Sequence, residues 1–339
     1  MRWYVTSANS LTDVPLSVLD LSPIVSGSDA GTALRNTIEL ARHTERLGYH
    51  RFWVAEHHNM PGIASSATAV LIGQVATATE RIRVGSGGVM LPNHASLIIA
   101  EQFGMLEAFH PGRIDLGIGR APGSDQRTAI AVRGSAAALS AEAFPQQLAE
   151  LMAYFEPDEH RAVNAVPAVG HKPPFWLLGS SGFSAQLAGA LGLPFAFAHH
   201  FSAQNTIPAV RLYRESFTPS ETLSEPYVML GASVTAADTD EQARRIAAPS
   251  GLAFLSLRRG RPIKLPSPQE AAEYPYTEMD RMFVEERMES QIIGSPETVR
   301  KGLDGLLADT GADEIMVTTM IYDDEDRLRS YELIADLAK

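Results

Sequence analysis

The chain has 339 residues, 45% of them hydrophobic and 20% charged, a composition typical of a globular protein with a large core. Its net charge of -12 argues against broad binding to nucleic acids or anionic membranes, because both need a basic surface. The absence of cysteine excludes disulfides, thiolate nucleophiles and cysteine-ligated metals, so redox chemistry would depend on a bound cofactor. No apolar run reaches the roughly 18 residues of a membrane span and residues 1–14 lack a signal-peptide core, so we expect a cytoplasmic protein.

Apolar runs rich in β-forming residues alternate with helix-patterned segments, which predicts a parallel β/α architecture. We expect residues 1–14 to form an extension and residues 15–339 to form one domain. Eight predicted strands, each followed by a helix, favour a closed (β/α)8 TIM barrel over a doubly wound sheet. The predicted strands are Leu16–Asp20, Arg51–Ala55, Ile82–Met90, Arg113–Ile118, Phe175–Leu178, Phe195–Ala198, Tyr227–Val234 and Glu314–Thr319.

Several predicted helix ends carry residues that are common at such positions. Gly48 is typical of the residue that follows a helix. Ser295-Pro296 predicts a helix start, with an N-cap followed by proline at the first helical position. Asp238 and Glu241 are expected to form a capping pair, and the acidic run Asp323–Asp326 is interpreted as a solvated helix start.

Two stretches, residues 124–172 and 250–294, interrupt the alternation of strands and helices. The second is an extended insertion between the seventh and eighth strands, and it contains Arg258–Pro262 and further prolines. Long loops of a barrel are often lids or substrate walls at the catalytic face. We favour that interpretation over an ordinary surface excursion.

The loops after the C-terminal strand ends build the active site of a parallel barrel, which draws attention to Glu56 and His57 after the second strand. A carboxylate beside a histidine can serve as an acid/base group with its orienting partner. A salt-bridged and capped loop is the alternative, and position alone does not decide between them. His57 and His58 cannot easily share a metal ion, because adjacent side chains on a strand point to opposite faces. We therefore predict no metal site.

Gly85, Gly87 and Gly88 lie inside the third predicted strand, where glycines usually mark a bulge or the close approach of a ligand. A planar ring lying against bare backbone would need such residues. A tight packing layer of the barrel is the alternative, and it is the stronger interpretation when these glycines are considered alone.

The ends of the fourth, fifth and sixth strands carry candidate ligand-binding groups. Arg120 could pair with a phosphate, although a structural pair with a carboxylate is common. Hydroxyl-rich turns at a helix N-terminus present free N–H groups, and together with Arg120 they predict a phosphate site. The sixth strand ends in His199-His200, either of which could line a pocket. The residues of the hydroxyl-rich turn are Gly179, Ser180, Ser181 and Ser184.

These segments, in this order, resemble the luciferase-like superfamily of flavin oxidoreductases over nearly all the chain from about Pro15. The local sequences around Asp20–Pro23 and Arg120–Gly123 are similar to its alkanal-monooxygenase-like branch. The matching stretches are Ser17–Pro23, Glu56–His58, Gly85–Pro92, Pro111–Arg120, Gly179–Ser181 and Gly294–Glu297.

The resemblance implies a TIM barrel that binds FMN at its C-terminal mouth. By matching position it implies that His57 is an active-site histidine near the flavin ring and that Gly87-Gly88 forms a non-prolyl cis peptide beneath the ring. It also implies that Arg120 and Ser180-Ser181 bind the phosphate and that His199 lines the pocket. The luciferase subunit has a reactive cysteine where this chain has Gly119 and an acid where it has Gly179, so light emission is not implied.

The implied activity is monooxygenation of a small, aldehyde-like organic substrate with O2 and reduced FMN (FMNH2) from a separate flavin reductase. Three alternatives stay open: F420-dependent hydride transfer, flavin binding without turnover, and flavin-free hydrolysis by Glu56 and His57. The Ala-rich second helix could pack closely against a partner, and members of the resembled family commonly form dimers, so we expect a homodimer. We expect no nucleic-acid or membrane partner.

Overall fold

A computed structural model describes residues 10–121, 126–133 and 143–339, and in this part of the chain eight parallel strands close into a barrel. The ring runs β1-β2-β3-β5-β6-β7-β8-β10 and closes where β10 pairs with β1, while β4 pairs with β5 and β9 with β8. The predicted TIM barrel is therefore confirmed. The strands are β1 Leu16–Asp20, β2 Arg51–Val54, β3 Arg83–Ser86, β4 Val89–Met90, β5 Ile114–Gly119, β6 Phe175–Gly179, β7 Phe195–Phe197, β8 Val228–Ala236, β9 Ile292–Gly294 and β10 Glu314–Thr318.

Helices connect and surround the strands. The described residues include α1 Ala30–Leu47, α2 Thr68–Ala78, α3 Ser96–Phe109, α4 Gln126–Arg133, α5 Phe144–Ala153, α6 Gly182–Ala190, α7 Thr206–Ser216, α8 Asp240–Arg258, α9 Pro268–Glu273, α10 Glu278–Glu289, α11 Pro296–Thr310 and α12 Asp324–Leu337. None of them combines the length and the apolar composition that crossing a lipid bilayer requires.

The predicted helix ends are mostly where the sequence indicated. Gly48 ends α1 in the left-handed conformation (φ 89°), Ser295 precedes α11, and the side chain of Asp323 caps α12. The prediction for α8 was wrong by one residue, because Thr239 is the N-cap and its hydroxyl accepts from the Gln242 N–H at 3.2 Å. Asp238 instead accepts a hydrogen bond from Arg329 on the surface.

Alternate strand residues serve two cores, as the period of a β-strand requires. Val18 and Phe52 face outward into the layer between strands and helices. Their neighbours Leu19 and Trp53 belong to a smaller cluster with Trp176, inside the barrel. Strands β1 and β2 therefore carry apolar side chains on both faces, which is why such strands appear in the sequence as largely hydrophobic runs.

The N-terminal end of the barrel interior holds a buried cluster of paired charges. Arg51 Nη1 lies 2.7 Å from Asp115 Oδ2, and its Nε lies 3.1 Å from Glu314 Oε1. Arg83 pairs with the other oxygen of Asp115 at 2.6 Å, and the guanidinium of Arg51 lies over the ring of Trp176. Both carboxylates are completely buried, so these ion pairs hold four strand starts together where the access of solvent is small.

The insertion at 250–294 is largely helical, which corrects the prediction of a long loop. It contains the end of α8, then α9 and α10, and finally β9. Two capping boxes explain the helices: Ser267 with Glu270 begins α9, and Thr277 with Asp280 begins α10.

The predicted extension lies partly outside the described residues, since these begin at Ser10. Leu11 is fully buried in the outer core, and its N–H donates to Asp304 at 3.1 Å. Residues 122–125 and 134–142 of the predicted break at 124–172 also lie outside the described residues. The described remainder includes α4 and α5.

Candidate active site

A cavity of about 710 Å³ opens at the C-terminal ends of the strands. Barrel residues form one wall, including Leu21 after β1, His57 after β2 and Thr318 at the end of β10. The insertion forms the opposite wall, with Phe254 of α8 and Ile263 of the following loop. The interpretation of residues 250–294 as a wall of the pocket thus agrees with the structure, and the volume lies in the range of small-molecule sites, about 300–1,000 Å³.

Glu56 follows β2, but its carboxylate is turned away from the cavity and is fully buried. It accepts hydrogen bonds from the Met90 N–H (2.9 Å), Asn93 Nδ2 (3.1 Å), His94 Nε2 (2.9 Å) and His58 Nε2 (2.9 Å). Burial alone would raise its pKa, yet the hydrogen bonds from His94, His58 and the Met90 N–H, together with the charge of His94, bring the pKa below its ordinary value. Glu56 is therefore an ionised anchor that ties the loop after β2 to the loop after β4.

His57 and His58 face different surroundings, as alternation along an extended chain predicts. The side chain of His57 lines the cavity, and its backbone N–H donates to the Ser65 carbonyl at 3.0 Å. His58 instead binds Glu56. Of the two predicted catalytic residues, the structure thus brings His57 to the cavity and places Glu56 behind it as part of the supporting loop.

His199 and His200 also divide between two environments. Nδ1 of His199 lies 2.8 Å from the Thr206 hydroxyl, and its side chain is not part of the cavity wall. His200 lines the cavity, and its Nδ1 lies 2.8 Å from the Gly231 carbonyl, so Nδ1 carries the proton. Burial lowers the pKa of His200 to about 4, which keeps the ring neutral at physiological pH. The prediction had selected His199, and only the fold distinguishes these adjacent residues.

The peptide bond between Gly87 and Gly88 is cis, as the family resemblance implied. A Cβ on Gly87 would lie 2.6 Å from Leu19 Cδ1, and one on Gly88 would lie 2.8 Å from the Gly117 carbonyl oxygen. Gly85 is equally constrained, with Asp115 and Trp53 at 2.7 Å from such a Cβ. The packing of the barrel therefore accounts for all three glycines, whether or not a ligand also lies against Gly87-Gly88.

Arg120 lies at the rim, between the end of β5 and the start of α6. Its guanidinium stands 4.1 Å from the ring centroid of Phe183, the second residue of α6. Ser181 is the N-cap of that helix, but its hydroxyl makes no capping hydrogen bond. The structure therefore brings Arg120 to the first turn of α6, next to Ser180 and Ser181. Ring stacking leaves the edge of a guanidinium free for an anion, and the helix N-terminus adds unpaired N–H groups.

Gly179 and Ser184 have a packing relationship that the sequence did not reveal. Ser184 is buried, and a Cβ on Gly179 would lie 2.6 Å from its Cβ. The Gly179 carbonyl accepts from the Ala198 N–H at 2.9 Å, which joins the end of β6 to the end of β7. The close contact between these two residues thus determines how near the first turn of α6 lies to the end of β6.

Arg287 was not anticipated. It lies on α10, lines the cavity, donates from Nη1 to the His200 carbonyl at 2.7 Å and stacks 4.4 Å from the ring centroid of Phe254. Burial lowers its pKa, but a guanidinium stays charged at physiological pH. No sequence motif surrounds Arg287, and only the folding of the insertion onto the barrel carries it to the cavity.

Comparisons of the sequence and of the structure with known proteins find similar proteins over most of the chain. A family model described as luciferase-like monooxygenase matches residues 14–314. The uncharacterized protein YvbT of Bacillus subtilis (strain 168) is 54% identical over 98% of this chain and 99% of its own length. A luciferase-like monooxygenase of Escherichia coli (strain K12) is 47% identical over 96% of this chain and 97% of its own. The crystal structure of apo-MsnO8 has a TM-score of 0.88 at 38% identity, covering 96% of this chain and 98% of that one.

Two more distant structures share the fold. One is the oxygenating constituent of 3,6-diketocamphane monooxygenase from Pseudomonas putida in complex with FMN, with a TM-score of 0.71 and 18% identity over 95% of this chain and 97% of that one. The other is an F420-dependent secondary alcohol dehydrogenase, with a TM-score of 0.67 and 14% identity over 96% of this chain and 99% of that one. At these identities the likeness concerns the barrel alone.

Proposed function

The chain belongs to the luciferase-like monooxygenase family, and we propose that it is an FMN-dependent monooxygenase. In this proposal a separate reductase supplies reduced FMN, O2 is the oxidant, and a small organic substrate is oxygenated. The observation that carries the proposal is the arrangement of the barrel mouth. A cavity of about 710 Å³ has His57 in its wall, and Arg120, which follows β5, stacks on Phe183 in the first turn of α6 at the same end of the barrel.

The residues at the rim fit the phosphate of FMN. Arg120 supplies a charged planar donor, and Ser180 and Ser181 precede a helix whose N-cap hydroxyl is not used by the helix itself. The cavity at the same end of the barrel is large enough for a ring system and has many apolar residues in its walls. The chemistry that reduced FMN supplies when bound is the activation of O2 by electron transfer.

The residues of the chain contribute binding, orientation and exclusion of water. Phe254, Leu257 and Ile263 cover the cavity from the insertion side and limit the access of solvent. We assign to His57 the transfer or holding of a proton at its ring nitrogen, because it is a histidine that faces the cavity directly after β2. Glu56 positions the His57 loop from behind through its hydrogen bonds to His58 and Met90.

A titration of the purified protein with FMN and reduced FMN, with F420 as control, tests the cofactor. We expect preferential binding of FMN or its reduced form, weakened about tenfold or more in Arg120→Ala, because a charge-assisted contact to phosphate is lost. Arg245→Ala, on the exposed face of α8, is the matched control and should bind as wild type. Binding of F420 alone would redirect the proposal to hydride transfer, and no binding of either cofactor would remove it.

The role of His57 has a separate test. His57→Ala should bind FMN like wild type, because the residue lies in the cavity wall away from Arg120, and should lose most substrate-dependent oxygen consumption. Oxygenation at the wild-type rate in this variant would refute the assignment. Oxygen consumption that never depends on any added organic compound, in wild type as well, would identify a flavin-binding protein without turnover.

We also propose that the protein is a homodimer through α2 and α3. These helices contact each other and both carry exposed apolar side chains, which are Val70 (69% exposed) on α2 and Ile98 (46%), Met105 (48%) and Phe109 (71%) on α3. Apolar side chains gathered in this way favour a protein partner over water. Sedimentation equilibrium should give a dimer for wild type and for Met279→Glu, an exposed apolar site on α10, and a monomer for Val70→Glu/Phe109→Glu. A monomeric wild type would contradict the proposal.

A further inference from the structure

The described residues that line the cavity include cationic but no acidic side chains, although the chain as a whole carries a net charge of -12. Arg127 and Arg287 both line the cavity, and no aspartate or glutamate is found among the described residues that line it. The two histidines of the wall do not provide a compensating negative charge, since a histidine is neutral or cationic. A ligand that enters this cavity therefore meets the positive charge of Arg287, which has no acidic partner among the described residues.

Arg287 is held in a fixed orientation without an acidic partner. The Phe254 ring supports its guanidinium from one side, and the His200 carbonyl accepts from Nη1. Among the described residues it forms no ion pair and no second hydrogen bond, and its Nε–H is buried without a partner. A guanidinium has five N–H donors, so this side chain retains donor capacity at the cavity. A partly buried cation without an acidic partner is costly, and such a residue in a cavity is a candidate for binding a ligand.

The walls next to Arg287 are apolar. Phe254 and Leu257 lie on α8, and Ile263 and Leu265 lie in the loop that follows it. Together with Met320 across the cavity, they form a channel suited to a hydrocarbon chain or ring. The cavity thus pairs one fixed cation with an apolar surface, which complements an amphiphilic anion.

We propose that the substrate is an organic anion, with a carboxylate head group on an apolar body, and that Arg287 is the residue that selects it. This proposal rests on the function proposed above and adds the substrate class. The carboxylate would pair with the free donors of Arg287, and the apolar body would lie along Phe254 and Leu257. His57, in the barrel wall of the same cavity, would face the part of the substrate that is modified.

The same positive charge could instead attract the phosphate of the flavin, so the two anions must be distinguished. The phosphate is assigned to Arg120 and the α6 turn, and Arg120 is not among the residues that line the cavity. Arg287 lies on the insertion, in the opposite wall from the barrel strands. If the assignments are correct, variants at the two arginines affect different ligands.

The experiment compares the binding of octanoate with that of octanamide, its neutral counterpart, by isothermal titration calorimetry. Both ligands are titrated into the FMN-loaded protein and, in parallel, into the protein without FMN. The variants are Arg287→Met, Arg287→Lys and Arg120→Ala. Arg281→Met, an exposed arginine of the same helix α10, is the matched control. Thermal melting establishes that each variant is folded, and FMN titration measures the cofactor affinity of each one.

We expect wild type and Arg281→Met to bind octanoate at least tenfold more tightly than octanamide, since a charge-assisted hydrogen bond is lost with the amide. Arg287→Met should bind both ligands equally, Arg287→Lys should keep part of the preference, and Arg120→Ala should keep all of it at saturating FMN. Equal binding by wild type, or a preference that survives in Arg287→Met, would overturn the proposal. It would also fall if Arg287→Met weakened FMN as strongly as Arg120→Ala. Failure of wild type to bind FMN would refute the proposed function alone, because the titrations without FMN still decide the role of Arg287.

Discussion

The two ends of the barrel interior contain charged residues with opposite arrangements. At the N-terminal end, Arg51 lies between the carboxylates of Asp115 and Glu314, and each buried oxygen has a protein donor. At the C-terminal mouth, the guanidinium of Arg287 has one carbonyl partner and a buried N–H with none. The first arrangement is complete without any ligand, whereas the second leaves binding capacity unused.

The comparison shows that the state of pairing, more than the position along the barrel, separates structural from functional groups. Glu56 illustrates this, because it lies at the catalytic end but has as many donors as the carboxylates at the opposite end. By this criterion Glu56 belongs with the structural groups, and Arg287 belongs with the groups that can bind a ligand. Mutations that break each arrangement test the distinction.

The largest effect is expected at the closed end. Arg51→Met leaves Glu314 buried without its cationic partner, and removing one member of a buried ion pair costs about 4 kcal/mol of unfolding free energy. Urea denaturation measures the loss, and the FMN affinity of the folded fraction should not change. A loss below about 1 kcal/mol would mean that the cluster does not hold the strand starts together.

The next effect concerns His200 and depends on pH. Its folded-state pKa of about 4 lies below the ordinary 6.5, because burial disfavours the charged ring. The unfolded chain therefore takes up a proton first, and the free energy of unfolding falls as pH decreases from 6.5 to about 4, by roughly 3 kcal/mol. His200→Asn should remove this part of the slope. Parallel curves for wild type and variant over that range would show that His200 is not buried neutral.

The barrel could be predicted because each strand is recognisable from the hydrophobic pattern of a few consecutive residues. Strand positions were correct to within one or two residues where both faces are buried, as at Leu16–Asp20 and Phe175–Gly179. The third predicted strand, Ile82–Met90, is interrupted instead. β3 ends at Ser86, and the cis peptide at Gly87-Gly88 separates it from β4. Apolar character continues through this break, so the hydrophobic pattern did not show it.

The site was less predictable, because it depends on which residues meet across the mouth. The sequence identified His57 and Arg120 by their positions after strands. It could not choose between His199 and His200, since a shift of one residue exchanges the two faces of the chain. Arg287 is separated from His57 by more than half of the chain and lies in a stretch expected to be a loop. The capping boxes at Ser267 and Thr277 were the local signals that could have identified the inserted helices.

A smaller effect is expected at Glu56, and it separates a positioning role from a catalytic one. Glu56→Gln keeps one accepting oxygen and replaces the other with an NH2 group, which cannot accept, so at least one of the four donors loses its partner. The expected loss is about 2 kcal/mol of unfolding free energy, with a moderate reduction in activity. His57→Gln, at the cavity, should lower activity strongly with little change in stability. If Glu56→Gln kept full stability while activity disappeared, Glu56 would belong with the catalytic groups after all.

The smallest effect tests whether ion pairing matters without burial. Arg329 on α12 lies 3.0 Å from Asp238 and 3.2 Å from Glu332, so it has two carboxylate partners like Arg51, but its side chain is 48% exposed. Solvent screens such pairs, and we expect Arg329→Ala to cost less than about 1 kcal/mol. The cost should shrink further in 0.5 M salt, whereas that of Arg51→Met should change little, because the screening ions cannot enter the barrel. Equal costs for the two substitutions would show that the number of ionic partners, and not their exclusion from water, stabilises the closed end.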